Sequence, residues 1–314
     1  MRRLVLGADG GGSKTAVRIA TVTGDGGLEV LGEGYGGPSN VRAVGRAHAE
    51  INLNVAVDAA LRDAGIGDEA IDYAVLGLAG SSLSDVQAFI LGWAARRSLA
   101  RTVDIVHDAD PVLAAGIPDG NGIALIVGTG SVAIGVDRGG QRTVTGGWGH
   151  LFGDTGSGYD LGRQALAAVA DAVDGIGPET VLVDRILARL GTDKPREMLL
   201  RLDQAVDVRR EIAALAPVLL HAAEDGDAVA LAIVERAAGS TAKLVQASAA
   251  KLGFPTDAPI AVAGGIVCRS ELYRNALVGR LHALGLEPRD IVVVDEPVDG
   301  CLLMARDRLL ASGS

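Results

Sequence analysis

The chain has 314 residues, of which 48% are hydrophobic and 22% are charged. This length exceeds one ordinary core and predicts two domains. The formal net charge of −10 argues against nucleic acid or an anionic membrane as a partner, since either would favour a face rich in Lys and Arg. A small molecule is therefore the expected partner. No stretch of the sequence reaches membrane-spanning length. The two cysteines, Cys268 and Cys301, lack metal or redox spacing, which indicates a reducing, cytoplasmic location.

The first predicted element is a strand, Leu4 to Asp9, and it runs into the glycine-rich stretch "GADGGGSKT", Gly7 to Thr15. This stretch approaches the phosphate-loop pattern G-x-x-x-x-G-K-[ST], but Ser13 separates the last glycine from the lysine. A phosphate loop must open a helix, whereas residues 15–23 alternate with a period of two and predict a second strand. We therefore predict a β-hairpin whose glycine turn leaves backbone amides open to a ligand.

A third strand is expected at 28–35, followed by a helix with Ile51, Val55 and Ala59 on its packed face and Gly65 as its stop. Further strands are predicted at 73–77 and 103–106, and helices at 83–97 and from residue 109. The order β-β-β-α-β-α-β-α indicates an α/β domain in which crossover units extend a hairpin sheet.

The pattern then restarts with a strand, a Gly-Thr-Gly-Ser turn and a second strand over residues 123–135. A third strand is expected near 142–146, then a mostly helical insertion from 157 to 253. A strand at 259–263, a helix from about 267 and a strand at 291–294 complete this half. The repeated order suggests one domain design used twice.

The final predicted helix, residues 298–311, is expected to return and pack on the first half of the chain. The predicted domains are accordingly 1–116 with 298–314, and 117–297.

Two acidic residues stand at strand ends: Asp9 is the last residue of the first strand, and Asp108 lies just past the carboxyl end of another, where ligands collect in open α/β sheets. Asp9 stands beside the glycines, where a carboxylate would repel phosphate unless Mg²⁺ lay between them; the alternative is a turn-capping carboxylate. Asp108 could accept the proton of a substrate hydroxyl that attacks a γ-phosphate. Its alternative role is a helix N-cap, which we assign instead to Asp110 because Pro111 suits a first helical position.

Two further glycine-rich segments are candidate binding elements. In the segment 146–157, glycines flank Trp148 and precede Asp154, so this loop could present polar backbone and a carboxylate to a sugar. The alternative for the tryptophan is an aromatic anchor in the core. Gly264 and Gly265 follow a strand and leave an open backbone on which a flat adenine could lie.

In this combination the chain resembles the N-acetylglucosamine kinase family of the sugar kinase and actin-like ATPase superfamily. The resemblance rests on five segments in order, "DGGGSKT", "GPSN", "HDA", "GTGS" and "GGWGHLFGDTGSGYDLGRQAL". It implies an α/β fold of two actin-like (ribonuclease H-like) domains with a cleft between them and a helical insertion in the second. It also implies ATP and Mg²⁺ as cofactors, and a homodimer.

The resemblance assigns roles residue by residue. Asp9 would hold Mg²⁺, and Asp108 would deprotonate the 6-hydroxyl of the sugar, N-acetylglucosamine first, glucosamine or another amino sugar as alternatives. ATP would be bound by Gly10, Gly11, Gly12, Ser13, Lys14, Thr15, Gly128, Thr129, Gly130, Ser131, Gly264 and Gly265. The amino sugar would be bound by Asn40, Asp108, Gly147, Trp148 and Asp154. Thr155 and Thr145 depart from the family pattern beside the sugar pocket and leave the identity of the sugar open.

Two other classes of function were weighed against the sequence. The same family groups with the activator ATPases of benzoyl-CoA reductase and 2-hydroxyglutaryl-CoA dehydratase, which share an iron–sulfur cluster through cysteines in the middle of the chain. This chain has no cysteine before Cys268. A sugar-sensing repressor would need a DNA-binding module ahead of the first hairpin, where only a handful of residues precede Asp9.

Overall fold

The computed structural model describes residues 2–67, 69–81 and 83–312, and it divides into two compact units. Unit 1 comprises the chain up to Gly120 and again from Glu296, and unit 2 comprises Asn121–Asp295. Each unit is built on one five-stranded sheet.

Unit 1 begins with the predicted hairpin. Its strands are β1 (Leu4–Gly10), β2 (Thr15–Val22), β3 (Leu28–Gly36), β4 (Tyr73–Leu78) and β5 (Thr102–His107), in the sheet order β3-β2-β1-β4-β5. Its first three helices are α1 (Val41–Ala64), α2 (Ser84–Arg96) and α3 (Ala109–Gly116). β1 is parallel to β4, and β4 is parallel to β5, so Gly10, Leu78 and His107 end their strands at one edge of the sheet.

The packed face of α1 differs from the predicted one. Ile51 and Val55 are 56% and 50% exposed, whereas Leu53 is fully buried. The other buried residues of α1 are Ala49, Ala56, Val57 and Ala60, and the alanines at 56 and 60 lie where the backbone of α1 almost touches the glycines of β3. The predicted helix stop is confirmed, because Gly65 adopts the left-handed conformation that ends α1.

Unit 2 repeats the hairpin and then expands. Its strands are β6 (Gly122–Val127), β7 (Ser131–Val136), β8 (Arg142–Gly146), β9 (Ile260–Ala263) and β10 (Ile291–Val293), in the sheet order β10-β9-β6-β7-β8. Between β8 and β9 lie α4 (Gly158–Val173), α5 (Leu182–Leu190), a 3-10 turn (Pro195–Glu197), α6 (Met198–Asp203), α7 (Val208–Ala213), α8 (Ala216–Glu224) and α9 (Ala228–Leu252). Between β9 and β10 lie α10 (Gly265–Arg269) and α11 (Glu271–Ala283), so the single helix expected from about 267 is two helices.

The two sheets have the same design, as the repeated sequence pattern predicted. In each, the first strand pairs antiparallel with the second and parallel with the fourth, and the fifth strand extends the sheet. The helical insertion of unit 2 falls where unit 1 has the single helix α1. Its longest member, α9, begins at the side-chain cap Asp227 and ends at the left-handed Gly253.

The last helix, α12 (Val298–Ser312), packs on the β1 and β4 face of unit 1. β1 is therefore buried on both faces: Leu4 and Leu6 face the core under α1 and α2, and Val5 faces the core under α12. The thiol of Cys301 on α12 donates to the carbonyl of Ala8, at 3.2 Å. No helix within the described residues is both long enough and apolar enough to span a membrane.

Candidate functional site

The predicted site residues fall into two sets, one in each unit. Unit 1 carries the first glycine turn with its flanking residues, Asn40 and Asp108. Unit 2 carries the second glycine turn (128–131), Gly147, Trp148, Asp154, and the pair formed by Gly264 and Gly265.

The first glycine turn is held from behind by the loop that precedes α1. Gly10 pairs with Thr15 across the hairpin, which leaves residues 11–14 as the turn, and Gly11 N–H donates to Lys14 O at 3.1 Å. The carbonyl of Gly11 accepts from the backbone amides of Ser39 and Asn40, at 3.2 and 3.3 Å. These hydrogen bonds fix the position of the turn.

Two residues with predicted binding roles already have partners inside unit 1. The Thr15 hydroxyl is fully buried and lies 2.7 Å from Gly37 O and 2.8 Å from Ser39 Oγ. It therefore ties the hairpin to the loop before α1. Asn40 Oδ1 accepts from Arg42 N–H at 3.0 Å and caps α1, so this oxygen is engaged as well.

Lys14 in the turn is paired with a residue that sequence reasoning missed. Its Nζ lies 3.0 and 3.3 Å from the two carboxylate oxygens of Glu296, which lies two residues before α12. The pair is half-exposed, with side-chain exposures of 50% and 33%. No local pattern could have indicated this partner, because 282 positions separate the two residues.

Asp9 is the candidate metal ligand, and its environment fits a cation. Burial, together with the neighbouring Asp108 carboxylate, raises the pKa of Asp9 to about 7, and the ammonium of Lys14 opposes this shift. A divalent cation would favour the charged form in the same place. Mg²⁺ is commonly held by one or two carboxylates together with substrate phosphates, so one protein ligand suffices. Within the described residues no three His, Cys, Asp or Glu side chains converge on a common metal position.

Asp108 directly follows β5, at the same sheet edge as the end of β1. Its Oδ1 is buried and makes no hydrogen bond to the part of the chain that the structure describes. His107 Nδ1 lies 2.6 Å from this oxygen, and no Lys or Arg in the described part of the chain forms an ion pair with the carboxylate. The side chain of Asp108 is 21% exposed, so the carboxylate is held at the strand end and can still be reached by a substrate hydroxyl, as a proton acceptor requires.

The predicted N-cap role of Asp110 is wrong. Helix α3 begins at Ala109, which places Asp108 at the N-cap position, without a side-chain cap hydrogen bond, and Asp110 inside the first turn. Asp110 Oδ2 instead accepts from His107 N–H at 3.0 Å, and this bond closes the strand-to-helix connection around Asp108.

The second glycine turn connects β6 to β7. Gly128 N–H donates to Gly130 O at 2.9 Å, and Gly128 O accepts from Gly158 N–H, the first residue of α4, at 2.8 Å. The Thr129 carbonyl accepts from Tyr159 N–H at 3.3 Å. Ser131 Oγ donates to Thr155 O at 2.8 Å, so the turn is fastened to the start of α4.

Asp154 lies beneath this turn and is not an open sugar ligand within unit 2. Its side chain is 4% exposed, Oδ1 accepts from Ser131 N–H at 3.3 Å, and Oδ2 accepts from Arg209 Nη2 at 2.8 Å. Arg209 lies on α7 in the insertion, 55 positions along the chain, and was not anticipated from the sequence.

The loop after β8 exposes its aromatic residues. Trp148 is 76% exposed and Phe152 is 85% exposed, so the alternative of a core-anchoring tryptophan is wrong. Gly147 has a left-handed backbone, with φ +71°, at the start of the loop. An exposed indole is available to a ligand, as the sugar-binding prediction requires.

The two glycines after β9 have different surroundings, one packed against backbone and the other open. Gly264 has φ +102°, and a Cβ there would lie 2.6 Å from the carbonyl carbon and oxygen of Val127. The end of β9 therefore meets the end of β6 without a side chain between them. Gly265 has no atom within 4 Å of the Cβ position, so its surface is open to a ligand.

Two α/β sheets of the same strand order, each opened by a glycine-turn hairpin, define the actin-like class of ATPase folds. The chain belongs to the BadF/BadG/BcrA/BcrD ATPase family, whose model matches residues 6–283. This family relation covers the hairpins of both units, Asp108, and the segments around Trp148 and Gly264.

Individual relatives extend the comparison over most of the chain. An N-acetylmuramic acid/N-acetylglucosamine kinase of Clostridium acetobutylicum is 31% identical over 266 residues, covering 84% of this chain and 86% of the relative. An N-acetyl-D-glucosamine kinase of Dictyostelium discoideum is 27% identical over 289 residues, covering 88% and 89%. A solved structure from Chromobacterium violaceum, described as a candidate N-acetylglucosamine kinase, superposes with a TM-score of 0.75 at 25% identity, covering 96% and 99%.

Proposed function

We propose that this protein is an ATP-dependent amino-sugar kinase, with N-acetylglucosamine as the first candidate substrate and its 6-hydroxyl as the acceptor. The observation that carries the proposal is the partly exposed Asp108 carboxylate, which lies at the strand ends beside the first glycine turn. The amino-sugar kinases among the relatives support the substrate class.

Asp108 acts as the general base in this proposal. Its carboxylate accepts the proton of the sugar hydroxyl as the hydroxyl oxygen bonds to the γ-phosphorus, and the bond from that phosphorus to the β–γ bridging oxygen breaks to release ADP. The Asp108 side chain is 21% exposed and has no Lys or Arg ion pair within the described residues, so its carboxylate can approach the hydroxyl and take the proton.

The glycine turns hold the nucleotide. Gly11, Gly128 and Ser131 already donate their amides within their own units, so the phosphate oxygens accept from other amides of the turns 11–14 and 128–131. The open surface at Gly265 receives the adenosine. Mg²⁺, held by Asp9, would neutralise charge on the β- and γ-phosphates. Asn40, Gly147 and Trp148 remain the proposed sugar contacts, whereas the carboxylate of Asp154 is already engaged by Ser131 and Arg209.

Three further attributes stay part of this proposal and rest on the resemblance to the kinases. They are the requirement for Mg²⁺, a homodimeric assembly and a cytoplasmic location. The requirement for Mg²⁺ has local support in the environment of Asp9.

The test is release of ADP by the purified protein with ATP and Mg²⁺. The reaction is run with N-acetylglucosamine, glucosamine, N-acetylmuramic acid, glucose, or no sugar. Turnover that depends on an amino sugar supports the kinase, and ³¹P-coupled NMR of the product identifies the phosphorylated hydroxyl. A phosphate on any other oxygen refutes the assignment to the 6-hydroxyl.

A matched pair of variants tests the base. Asp108→Asn should abolish transfer while MgADP still binds, because the amide cannot accept the proton. Asp110→Asn is the control: its amide oxygen can still accept from His107 N–H, so turnover should persist. Transfer retained in Asp108→Asn would contradict the base assignment.

The second candidate is an activator-type ATPase, favoured by the family model itself. It predicts equal ADP release with and without every sugar. It also predicts iron in the purified protein, so metal analysis separates the two functions independently of turnover.

A further inference from the structure

The second glycine turn lies against an ion pair between Asp154 and Arg209, whose carboxylate is buried and whose guanidinium side chain is 30% exposed. A Cβ at Gly130 would lie 2.8 to 3.0 Å from the carboxylate oxygens and carbon of Asp154, so this carboxylate fits directly behind the turn. Oδ1 accepts the amide of Ser131, the last residue of the turn, and Oδ2 accepts from Arg209. With 4% exposure, the carboxylate is cut off from water that would otherwise screen its charge.

A negative charge in this position opposes the proposed ligand. Phosphate groups in front of the turn would be repelled by a carboxylate behind it unless a cation neutralised that carboxylate. Arg209 is the cation that the structure places there, with its Nη2 at 2.8 Å.

The framework of unit 2 fixes Arg209 in place. A Cβ at Gly162 on α4 would lie 1.9 Å from Ile212 O on α7, so these two helices are in close contact. The first residue of α4, Gly158, donates its amide to Gly128 in the same turn. Arg209 Nε is buried and makes no hydrogen bond to residues 2–67, 69–81 or 83–312, so Asp154 is the partner that engages this guanidinium.

We infer that Arg209 is a positioning residue of the second phosphate turn, acting through Asp154. Its guanidinium neutralises and orients the Asp154 carboxylate, which accepts the amide of Ser131 and so holds the turn in position for the nucleotide phosphates. The inference rests on the proposed nucleotide-binding function and deepens it, because it gives the helical insertion a role in ATP affinity.

The experiment measures the Kd of MgADP by calorimetry, without sugar, at constant ionic strength. Arg209→Gln should weaken binding at least about tenfold, since it leaves a buried carboxylate uncompensated behind the turn. Arg209→Lys keeps the charge and should lose less. The double variant Arg209→Gln with Asp154→Asn removes the uncompensated charge and should recover most of the lost affinity.

The matched control is Arg210→Gln, which makes the same change of charge at the next position of α7, on an exposed side chain. It should bind MgADP as the wild type does. In steady-state kinetics, Arg209→Gln should raise the KM for ATP more than it lowers kcat.

The outcomes separate this inference from the function on which it rests. A wild-type protein that does not bind nucleotide overturns both. A wild-type protein that binds nucleotide, with Arg209→Gln binding equally well or the double variant as weak as Arg209→Gln, overturns the role of Arg209 alone. If Arg209→Gln fails to fold, the Kd of MgADP is compared between the double variant and Arg209→Lys. Equal loss of MgADP affinity in both overturns the inference, and MgADP affinity retained in both supports it.

Discussion

The adjacent glycines after β9 allow one substitution to test packing and its neighbour to test ligand binding. Gly264 has φ +102° and ψ 151°, a region of backbone conformation that is essentially restricted to glycine. A Cβ there would lie 2.6 Å from the carbonyl carbon and oxygen of Val127. Gly265 has neither constraint, because no atom lies within 4 Å of its Cβ position. Gly264→Ala should therefore lower the stability of unit 2, whereas Gly265→Ala should leave stability nearly unchanged and weaken nucleotide binding.

The expected cost of Gly264→Ala has two parts. Forcing alanine into this conformation costs about 1–3 kcal/mol, and the overlap with backbone that cannot move aside adds about 1–3 kcal/mol. For a domain the size of unit 2, each kcal/mol shifts Tm by about 2–4 °C, so the Tm of unit 2 should fall by about 4 °C or more. Gly265→Ala should stay within about 1 kcal/mol of the wild type, since it restricts the unfolded chain and meets no neighbour.

Scanning calorimetry is the appropriate assay because two units need not unfold in one transition. Binding of MgADP is then measured on the same proteins below their transitions. Gly265→Ala should weaken nucleotide binding at unchanged Tm if adenosine lies over this residue. A Gly264→Ala protein as stable as the wild type, or a Gly265→Ala protein less stable than Gly264→Ala, would refute the reasoning.

Other predictions follow from exposure and charge. Lys14→Met should weaken MgADP binding, because it removes the ammonium of the first glycine turn. Glu296→Gln should change the free energy of unfolding by less than about 1 kcal/mol, because its ion pair with Lys14 is half-exposed. A larger loss of stability for Glu296→Gln in denaturant titrations would contradict this. Trp148→Ala should leave Tm unchanged, since the indole is 76% exposed, and raise the KM for the sugar; an unchanged KM would remove it from the sugar site. Burial raises the pKa of Cys268 to about 11 and that of Cys301 well above its usual range, so iodoacetamide should label both slowly at pH 7.5; rapid labelling of the native protein would contradict this.

The local features of the fold were predictable because each depends on a pattern of neighbouring residues in the sequence. The period-two alternation on both sides of each glycine turn identified the hairpins, and the recurrence of the same order identified the second unit. The face of α1 was predicted wrongly because size was taken as the sign of burial. The glycines of β3 approach α1 at Ala56 and Ala60, while Ile51 and Val55 stay exposed, and only the distance between the two backbones reveals which face packs.

The electrostatic partners in the site could not be found in the same way. Arg209 reaches Asp154 across 55 positions and Glu296 reaches Lys14 across 282, so neither pair has a sequence spacing that marks it. Asp9 and Asp108 were found because each stands at the carboxyl end of a strand of a parallel set, and the topology brings these strand ends together. Site residues whose position follows from strand order could be predicted from the sequence, and those brought to the site by the packing of distant segments could not.

The return of α12 to unit 1 sets an order for folding during synthesis. Val5 and Val75 on the β1 and β4 face are buried together with Cys301 and Leu302, which leave the ribosome only after the whole of unit 2. At about 5–20 residues per second, that apolar face waits roughly ten seconds or more for its cover. Unit 1 is the first to begin folding and the last to finish, so a nascent chain paused before residue 296 presents an uncovered sheet to chaperones and proteases.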